Sequence, residues 1–185
     1  MISQGIQKGK LLLAEPAILN DKSFNRTIII LAEHNENGTV GFVLNKPSRF
    51  TLGDLVPDID SDIRVYIGGP VEQDNLYFIH EVPELIPDSI EIEHGIYWGG
   101  NYNTVKSLIN NKLIQAKDIR FFLGYSGWSQ EQLEDEISRN SWAVIEINGT
   151  NIFQINDAGS WKEKLIELGG KYRLWANSPE DPMLN

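Results

Sequence analysis

Apolar positions in this chain fall into short runs separated by turn residues, a pattern typical of β-strands. Most runs are rich in β-branched and aromatic side chains and end at Gly, Pro, Asn or Asp. The run at residues 28–31 is apolar without alternation, which predicts a strand covered on both faces. Further strands are predicted at residues 10–14, 64–70, 76–83, 89–100, 119–125 and 142–147.

A β-hairpin is the clearest local unit. Two β-branched runs flank Asn37-Gly38, a dipeptide that favours a two-residue hairpin turn. That turn sets the expected pairing: Glu36 with Thr39, His34 with Gly41, Ala32 with Val43 and Ile30 with Asn45. An imidazole-sized space is then expected beside His34, above Gly41, and His34 itself is interpreted as a polar strand end.

Helical spacing of apolar residues is confined to a few segments. Residues 51–58 predict one helical turn, and residues 104–111 a helix capped by Asn103. A second helix is predicted from Ser129 to about residue 140, and a third from Ser160 to the Gly169-Gly170 pair; both begin with a capping box. The second helix has a thin apolar stripe, so it lies either at the rim of the fold or with its polar face against other groups.

Strands outnumber helices roughly two to one, and neighbouring strands look like hairpins rather than strand-helix-strand units. We therefore expect an α+β fold with a mixed, largely antiparallel sheet and about three flanking helices. The 185 residues are best interpreted as a single domain spanning 1–185, with flexible ends at residues 1–8 and 176–185.

Composition excludes several classes of function. The chain has no cysteine, which removes disulfides, thiol nucleophiles and Cys-ligated zinc. The first residues show no secretory signal, and no apolar run approaches the ~20 residues of a membrane helix, so a cytoplasmic location without membrane contact is expected. A formal net charge of −10 opposes direct binding to nucleic acid.

The segment Gly124-Tyr125-Ser126-Gly127-Trp128 lies between a strand and a helix, where a nucleophilic serine could stand. Trp128 breaks the Gly-x-Ser-x-Gly pattern at a position that must be small, and every histidine precedes Ser126. A phosphate-binding turn is opposed by the acidic residues early in the following helix. The simplest interpretation is a tight corner.

The three histidines are isolated from one another, so neither a metal site nor a cofactor is predicted.

Taken together, the motifs resemble those of the YqgE/AlgH family of bacterial proteins. The resemblance is carried by Glu15-Pro16 with Phe24 and Arg26, by residues 32–47, by the Gly-Gly-Pro-Val of 68–71 and by residues 123–137 and 140–142. It implies an α+β fold whose strongly bent sheet forms a pseudo-barrel. Family members are labelled transcriptional regulators, and no catalytic mechanism is established for them.

The resemblance also implies a set of binding residues, which it places at strand ends and turns. They are Arg26, Glu33, His34, Asn45, Lys46, Gly68, Gly69, Pro70, Tyr125, Trp128, Gln132 and Glu136.

Two functions remain open at this point. The first is a non-catalytic regulatory module that binds a small molecule or a protein partner where the hairpin end, the Gly-Gly-Pro turn and the 124–132 corner meet. The second is a hydrolase with His34 or Glu136 as base and an oxyanion hole at residues 126–129. Direct regulation through DNA is a third possibility, which the charge opposes.

Overall fold

The structure is a computed structural model that describes residues 5–147 and 149–178. Its strands are β1 (Leu11–Ala14), β2 (Ile28–Asn35), β3 (Gly38–Val43), β4 (Pro47–Thr51), β5 (Arg64–Ile67), β6 (Val71–His80), β7 (Ile90–Glu93), β8 (Ile96–Trp98), β9 (Ile119–Trp128) and β10 (Trp142–Ile145). Its α-helices are α1 (Leu52–Leu55), α2 (Tyr102–Asn110), α3 (Gln130–Ser138), α4 (Ala158–Leu168) and α5 (Gly170–Trp175).

The expected α+β class is confirmed, with a mixed and largely antiparallel sheet. The strand order is β10-β1-β2-β3-β9-β6-β8-β7, and β4 joins through β5, which pairs with β9. Only the β5–β9 pairing is parallel among the described strands. The end strands β10 and β7 do not pair with each other, so the sheet bends strongly without closing into a barrel.

Strand β9 joins the two halves of this bent sheet. Its first part pairs with β5 through Phe121–Leu123, and its last part pairs with β3 through Ser126–Trp128. Gly124 lies between the two parts with a φ of 70°, a left-handed conformation that favours glycine. A side chain at Gly124 would also collide with the carbonyl oxygens of Val71 and Gly69.

Three apolar clusters lie against the sheet, and each is covered by different helices. Helices α4 and α5 cover the largest cluster, α1 and α2 cover a second, and α3 covers a third. Strand β2 contributes Ile28 and Ile30 to the first cluster and Ile29 and Leu31 to the third. The prediction that this strand is buried on both faces is therefore confirmed.

The predicted hairpin exists, but its predicted register is wrong. His34 pairs with Thr39 and Asn35 with Gly38, so the two-residue loop is Glu36-Asn37. The turn begins early because the Asn37 N–H donates to Asn35 Oδ1 at 2.8 Å, a local bond that asparagine side chains favour. An irregularity between Leu31 and Glu33 shifts the pairing again further along β2.

Other predicted boundaries also change. Residues 89–100 form the β7–β8 hairpin instead of one strand, because His94 and Gly95 both have positive φ and make a turn. Helix α2 is capped by Asn101, whose Oδ1 accepts from the Thr104 N–H at 2.9 Å, not by Asn103. Helix α4 is capped by Asp157 in place of Ser160. Neither β4 nor α5 was expected.

Among the described residues, none belongs to a helix long and apolar enough to cross a membrane. The ends that were predicted to be flexible, 1–8 and 176–185, lie mostly outside the described residues.

Candidate functional site

Three segments that the sequence analysis singled out meet at the last part of β9. The hairpin end reaches β9 at Gly38, where an added Cβ would lie 2.5 Å from the Trp128 carbonyl oxygen. The Gly-Gly-Pro turn reaches it at Gly69, where an added Cβ would lie 2.2 Å from the Tyr125 carbonyl carbon. Both approaches need glycine because no side chain fits between the two backbones.

A pocket of about 280 Å³ opens at this junction, and we call it the hairpin pocket. It is lined by Glu33, Asn35, Asn37, Gly38, Thr39, Val40, Tyr125, Gly127 and Trp128. Three of the predicted binding residues, Glu33, Tyr125 and Trp128, thus come together here. Gly127 helps to keep the pocket open, since an added Cβ would meet only the ring of Tyr125, at 3.2 Å.

The Tyr125 ring is held from behind by a small polar and aromatic group. It makes an edge-to-face contact with Tyr77 at a centroid distance of 5.7 Å. The Tyr77 hydroxyl donates to Glu72 Oε2 at 2.5 Å, and this hydrogen bond lowers the pKa of the Glu72 carboxyl. Burial, together with the nearby Glu72, raises the pKa of the Tyr77 hydroxyl. Tyr77 therefore remains a hydrogen-bond donor that fixes the wall of the pocket.

His34 does not line the hairpin pocket. Its Nδ1 lies 2.7 Å from Thr39 Oγ1 on the neighbouring strand. His34 and Glu33 are consecutive in a strand and so point to opposite faces. The space expected beside Gly41 is already filled, because an added Cβ there would lie 2.7 Å from Ile29 Cγ2.

Ser126 is fully buried and serves the turn. Its hydroxyl donates to the Gly68 carbonyl oxygen at 3.1 Å, and that oxygen also accepts the Val43 N–H at 2.9 Å. Gly68 must be a glycine because an added Cβ would lie 2.3 Å from the Gly124 carbonyl oxygen. Pro70 follows directly in the same turn. The Gly-Gly-Pro turn is therefore a junction of backbone hydrogen bonds behind the pocket.

Glu136 lies on α3 beside Trp128 and is held by three donors. Its Oε2 accepts the indole N–H of Trp128 at 3.0 Å and that of Trp142 at 2.8 Å, while its Oε1 accepts from Gln132 Nε2 at 2.9 Å. Phe24 stacks on Trp128 at 6.0 Å and meets Trp142 edge-on at 5.5 Å. Two more predicted residues, Gln132 and Glu136, thus belong to an aromatic-carboxylate cluster that fixes α3.

Arg26, Asn45 and Lys46 form a third group, separate from the hairpin pocket. Buried Asn45 accepts the Ile28 N–H at 2.8 Å and donates to the carbonyl oxygens of Arg26 at 2.8 Å and Asp157 at 3.2 Å.

Arg26 donates to the Ser178 carbonyl at 2.7 Å and lies over the Trp161 ring. Lys46 donates to the carbonyls of Lys22 and Ser23, and burial lowers its pKa. The contacts of this group tie loops to strands.

Several lining residues were missed by sequence reasoning, notably Asn35, Asn37 and Thr39. The sequence did indicate a hairpin turn at these residues, but it predicted the turn one residue too late. No cluster of three or more His, Asp or Glu suited to hold a metal ion occurs within residues 5–147 and 149–178.

A bent, largely antiparallel sheet with three helix-covered clusters and a polar pocket at a hairpin end defines an α+β class of protein. The AlgH-like family model matches residues 11–173, and this chain belongs to that family.

The alignments with sequence relatives cover nearly the whole length of both proteins. A UPF0301 protein of Cytophaga hutchinsonii is 38% identical over 97% of this chain and 100% of its own. A UPF0301 protein of Chlorobium phaeobacteroides is 41% identical over 97% of this chain and 96% of its own.

Solved structures share the fold. The solution structure of the AlgH protein from Pseudomonas aeruginosa has a TM-score of 0.73 and 25% identity, covering 97% of this chain and 98% of that one. A crystal structure of a Corynebacterium diphtheriae protein has a TM-score of 0.74 at 19% identity, covering 96% and 95%.

Proposed function

We propose that the protein is a non-catalytic regulatory module that binds a small molecule or a protein partner at the hairpin pocket. The observation that carries this proposal is the open pocket formed where the hairpin end meets the last part of β9, with the Gly-Gly-Pro turn packed behind it. Binding groups are commonly placed at strand ends and turns that a rigid sheet supports.

The lining of the pocket favours a cationic group rich in N–H donors. Glu33 supplies a carboxylate, Asn37 supplies an oxygen acceptor, and Tyr125 supplies aromatic surface. Guanidinium and ammonium groups combine these preferences, since they form charge-assisted hydrogen bonds and contact aromatic faces. The net charge of −10 adds a long-range attraction for such a partner.

A hydrolase with His34 or Glu136 as base gains no support from these contacts. His34 is hydrogen-bonded to Thr39, and both oxygens of Glu136 already accept hydrogen bonds. Neither group contacts Ser126, whose hydroxyl bonds to the Gly68 carbonyl. A cytoplasmic location and a role in transcriptional regulation stay predictions.

The pocket can be tested with an isotope-labelled sample and a defined probe. Titration with N-acetyl-arginine amide is expected to shift backbone amide signals of residues 33–40 and 125–128, whereas N-acetyl-glutamine amide is not. Glu33→Gln removes the carboxylate and should weaken binding by about tenfold. Glu134→Gln, an exposed glutamate outside the pocket, should leave the affinity unchanged.

A second experiment looks for the natural ligand. Protein purified from its own host is analysed by native mass spectrometry as wild type and as Gly127→Val, whose side chain fills the open wall of the pocket. A retained mass that disappears in this variant, while its thermal melting stays cooperative, supports the proposal. Retention that is equal in both proteins, or arginine-amide shifts that are unchanged in Glu33→Gln, would overturn it.

A further inference from the structure

A second pocket lies at the other end of β9, and we call it the basic pocket. It has a volume of about 240 Å³, and the side chains that matter here are Arg64, Tyr66, Lys117, Arg120, Phe153 and Asn156. Three of its lining residues are cationic and none carries a carboxylate. Arg120 and the hairpin pocket's Gly127 are seven residues apart along β9, which corresponds to at most about 23 Å.

Arg120 is the unusual member of this pocket because it is buried, with only 4% of its surface exposed. Its Nη1 donates to the carbonyls of Leu44 at 3.0 Å and Ile155 at 2.6 Å. Its Nη2 donates to the Phe153 carbonyl at 2.6 Å and to Asn156 Oδ1 at 2.9 Å. All of these acceptors are neutral oxygens.

The charge of Arg120 therefore has no opposite charge nearby. Throughout the described part of the chain, no carboxylate lies within ion-pair distance of Arg120. Burial lowers the pKa of its guanidinium, yet an arginine side chain stays protonated at neutral pH. Carbonyl dipoles satisfy its N–H groups, but a buried charge is stabilised best by a counter-charge.

Two exposed cations add to this field at the pocket. Neither Arg64 nor Lys117 forms an ion pair with any carboxylate of residues 5–147 and 149–178. The Asp54 carboxylate interacts electrostatically with Arg64. Hydrogen bonds from Thr51 are nevertheless the main cause of the lowered pKa of Asp54. The positive charge of these three side chains is opposite in sign to the net charge of −10 of the whole chain.

The walls of the pocket indicate what else the ligand contains. The Tyr66 ring lies 4.3 Å from the Arg120 guanidinium carbon, and the Phe153 ring lies 5.9 Å from it. Tyr66 and Phe153 are only 8% and 7% exposed, and the part of each residue that lines the pocket adds apolar surface beside the positive charge. A volume below the usual range of about 300–1,000 Å³ for ligand pockets favours a small molecule.

We propose that the basic pocket binds the oxyanion, phosphate monoester or carboxylate, of a small ring-bearing molecule. Lys117 and Arg64 contact the anion, and Arg120 supplies a fixed positive charge through its field because its terminal nitrogens are already occupied. The ring of the ligand lies against Tyr66 and Phe153. This site is separate from the hairpin pocket and does not depend on the function proposed for it.

The test is titration of labelled protein with phenyl phosphate and with benzoate at low ionic strength, with phenol as the neutral comparison. Either anion should give saturable shifts at the amides of Lys117, Arg120, Phe153 and Asn156, and the stronger binder identifies the anion type. Raising the salt concentration should weaken binding, as it does for exposed charge pairs.

Matched variants assign the binding to the pocket. Arg64→Gln and Lys117→Gln should each raise the Kd about tenfold, which corresponds to about 1.4 kcal/mol. Lys162→Gln removes the same charge from an exposed site outside the pocket and should change the Kd less than twofold. Equal affinity in the double variant Arg64→Gln/Lys117→Gln, or no saturable shift with either anion, would overturn the proposal. Arginine amide is expected to shift different signals, so failure here leaves the hairpin pocket untouched.

Discussion

Gly124 shows how a single residue sets the shape of the sheet. It lies where β9 changes its neighbour from β5 to β3, and its φ of 70° belongs to a region that side chains disfavour. An added Cβ would also lie 2.6 Å from the Val71 carbonyl oxygen and 2.8 Å from that of Gly69. Two independent penalties therefore act against any other residue here.

The variant Gly124→Ala separates these penalties when it is compared with Gly95→Ala. Gly95 has a similar φ of 79° but open space around it, so alanine there should cost only the roughly 1–2 kcal/mol of the left-handed conformation. Alanine at Gly124 also meets backbone oxygens and should cost about 2 kcal/mol more than that. Urea unfolding monitored by circular dichroism measures both. Equal losses in the two variants would contradict the steric explanation.

For individual residues, the sequence predicted local backbone features better than it predicted which residues lie opposite each other in the sheet. The interpretation of residues 124–128 as a tight corner is correct only for the bend at Gly124, because Ser126–Trp128 continue β9 and pair with β3. The predicted cross-strand partner of His34 was wrong, because the hydrogen bond from the Asn37 N–H to Asn35 Oδ1 moves the turn by one residue. Moving the turn by one residue shifts the pairing of the two strands by two residues, so Thr39 and not Gly41 lies opposite His34, and the predicted site could not be assembled correctly.

Helix α3 illustrates how an element with little apolar surface is held in place. Leu133 and Ile137 of α3 pack against the third cluster. Its polar face is engaged as well, since Glu136 accepts indole N–H groups from Trp128 on β9 and Trp142 on β10. Of the two placements left open by the thin stripe, the contacts favour a polar face packed against other groups.

Glu136→Gln tests this anchoring. The amide keeps one oxygen acceptor but loses the charge and places an NH₂ group against existing donors, so a loss of about 1–3 kcal/mol is expected. The control Glu134→Gln, on the exposed side of the same helix, should stay within about 0.5 kcal/mol of wild type. Urea unfolding followed by tryptophan fluorescence gives both values. A Glu136→Gln protein as stable as its control would show that the cluster does not anchor α3.

Turn chemistry decided which elements were predicted well. Ser129 begins α3 as expected, with its N–H donating to Gln132 Oε1 at 3.4 Å, and α4 ends at Gly169 as expected. The β7–β8 turn was missed because His94 adopts a φ of 54°, which histidine seldom does. Capping by Asn101 was missed because Asn101 and Asn103 have equal local preference, and only packing selects between them.

The stability of the whole molecule depends on pH through buried His80. Its imidazole lies 3.2 Å from the Gly99 carbonyl oxygen, and burial lowers its pKa, an effect that Gly99 and Glu84 only partly offset. Below the usual histidine pKa of about 6.5, the unfolded chain takes up a proton that the folded protein resists. Stability from this group is therefore complete above that pH and falls as the pH decreases.

We expect the free energy of unfolding in urea to decrease between pH 7.5 and pH 5.5, and to decrease less in His80→Gln. His94→Gln is the control for the loss of an exposed imidazole, because that side chain is 53% exposed. Glu15, whose pKa burial raises, acts in the opposite direction at lower pH and is common to all three proteins. Parallel slopes for wild type and His80→Gln would contradict this assignment.

At the scale of the whole fold, composition and periodicity were sufficient for the α+β class and the largely antiparallel sheet. Composition and periodicity did not predict the order in which the strands pair. The parallel pairing of β5 with β9 and the pairing of β1 with β10 join segments distant in sequence. Long-range pairing depends on packing of complete layers, as does the burial of Arg120 among carbonyls, and neither leaves a local pattern.

Strand β1 lies between β2 and β10, and this has a consequence for synthesis on the ribosome. Strand β1 leaves the ribosomal exit tunnel before β10 and can pair with β2 on one side. Its other side stays unpaired until β10 has been translated. Until β10 follows, one edge of β1 and its buried leucines are open to other nascent chains. Shielding by chaperones should therefore matter most during translation, before the last third of the chain has been released.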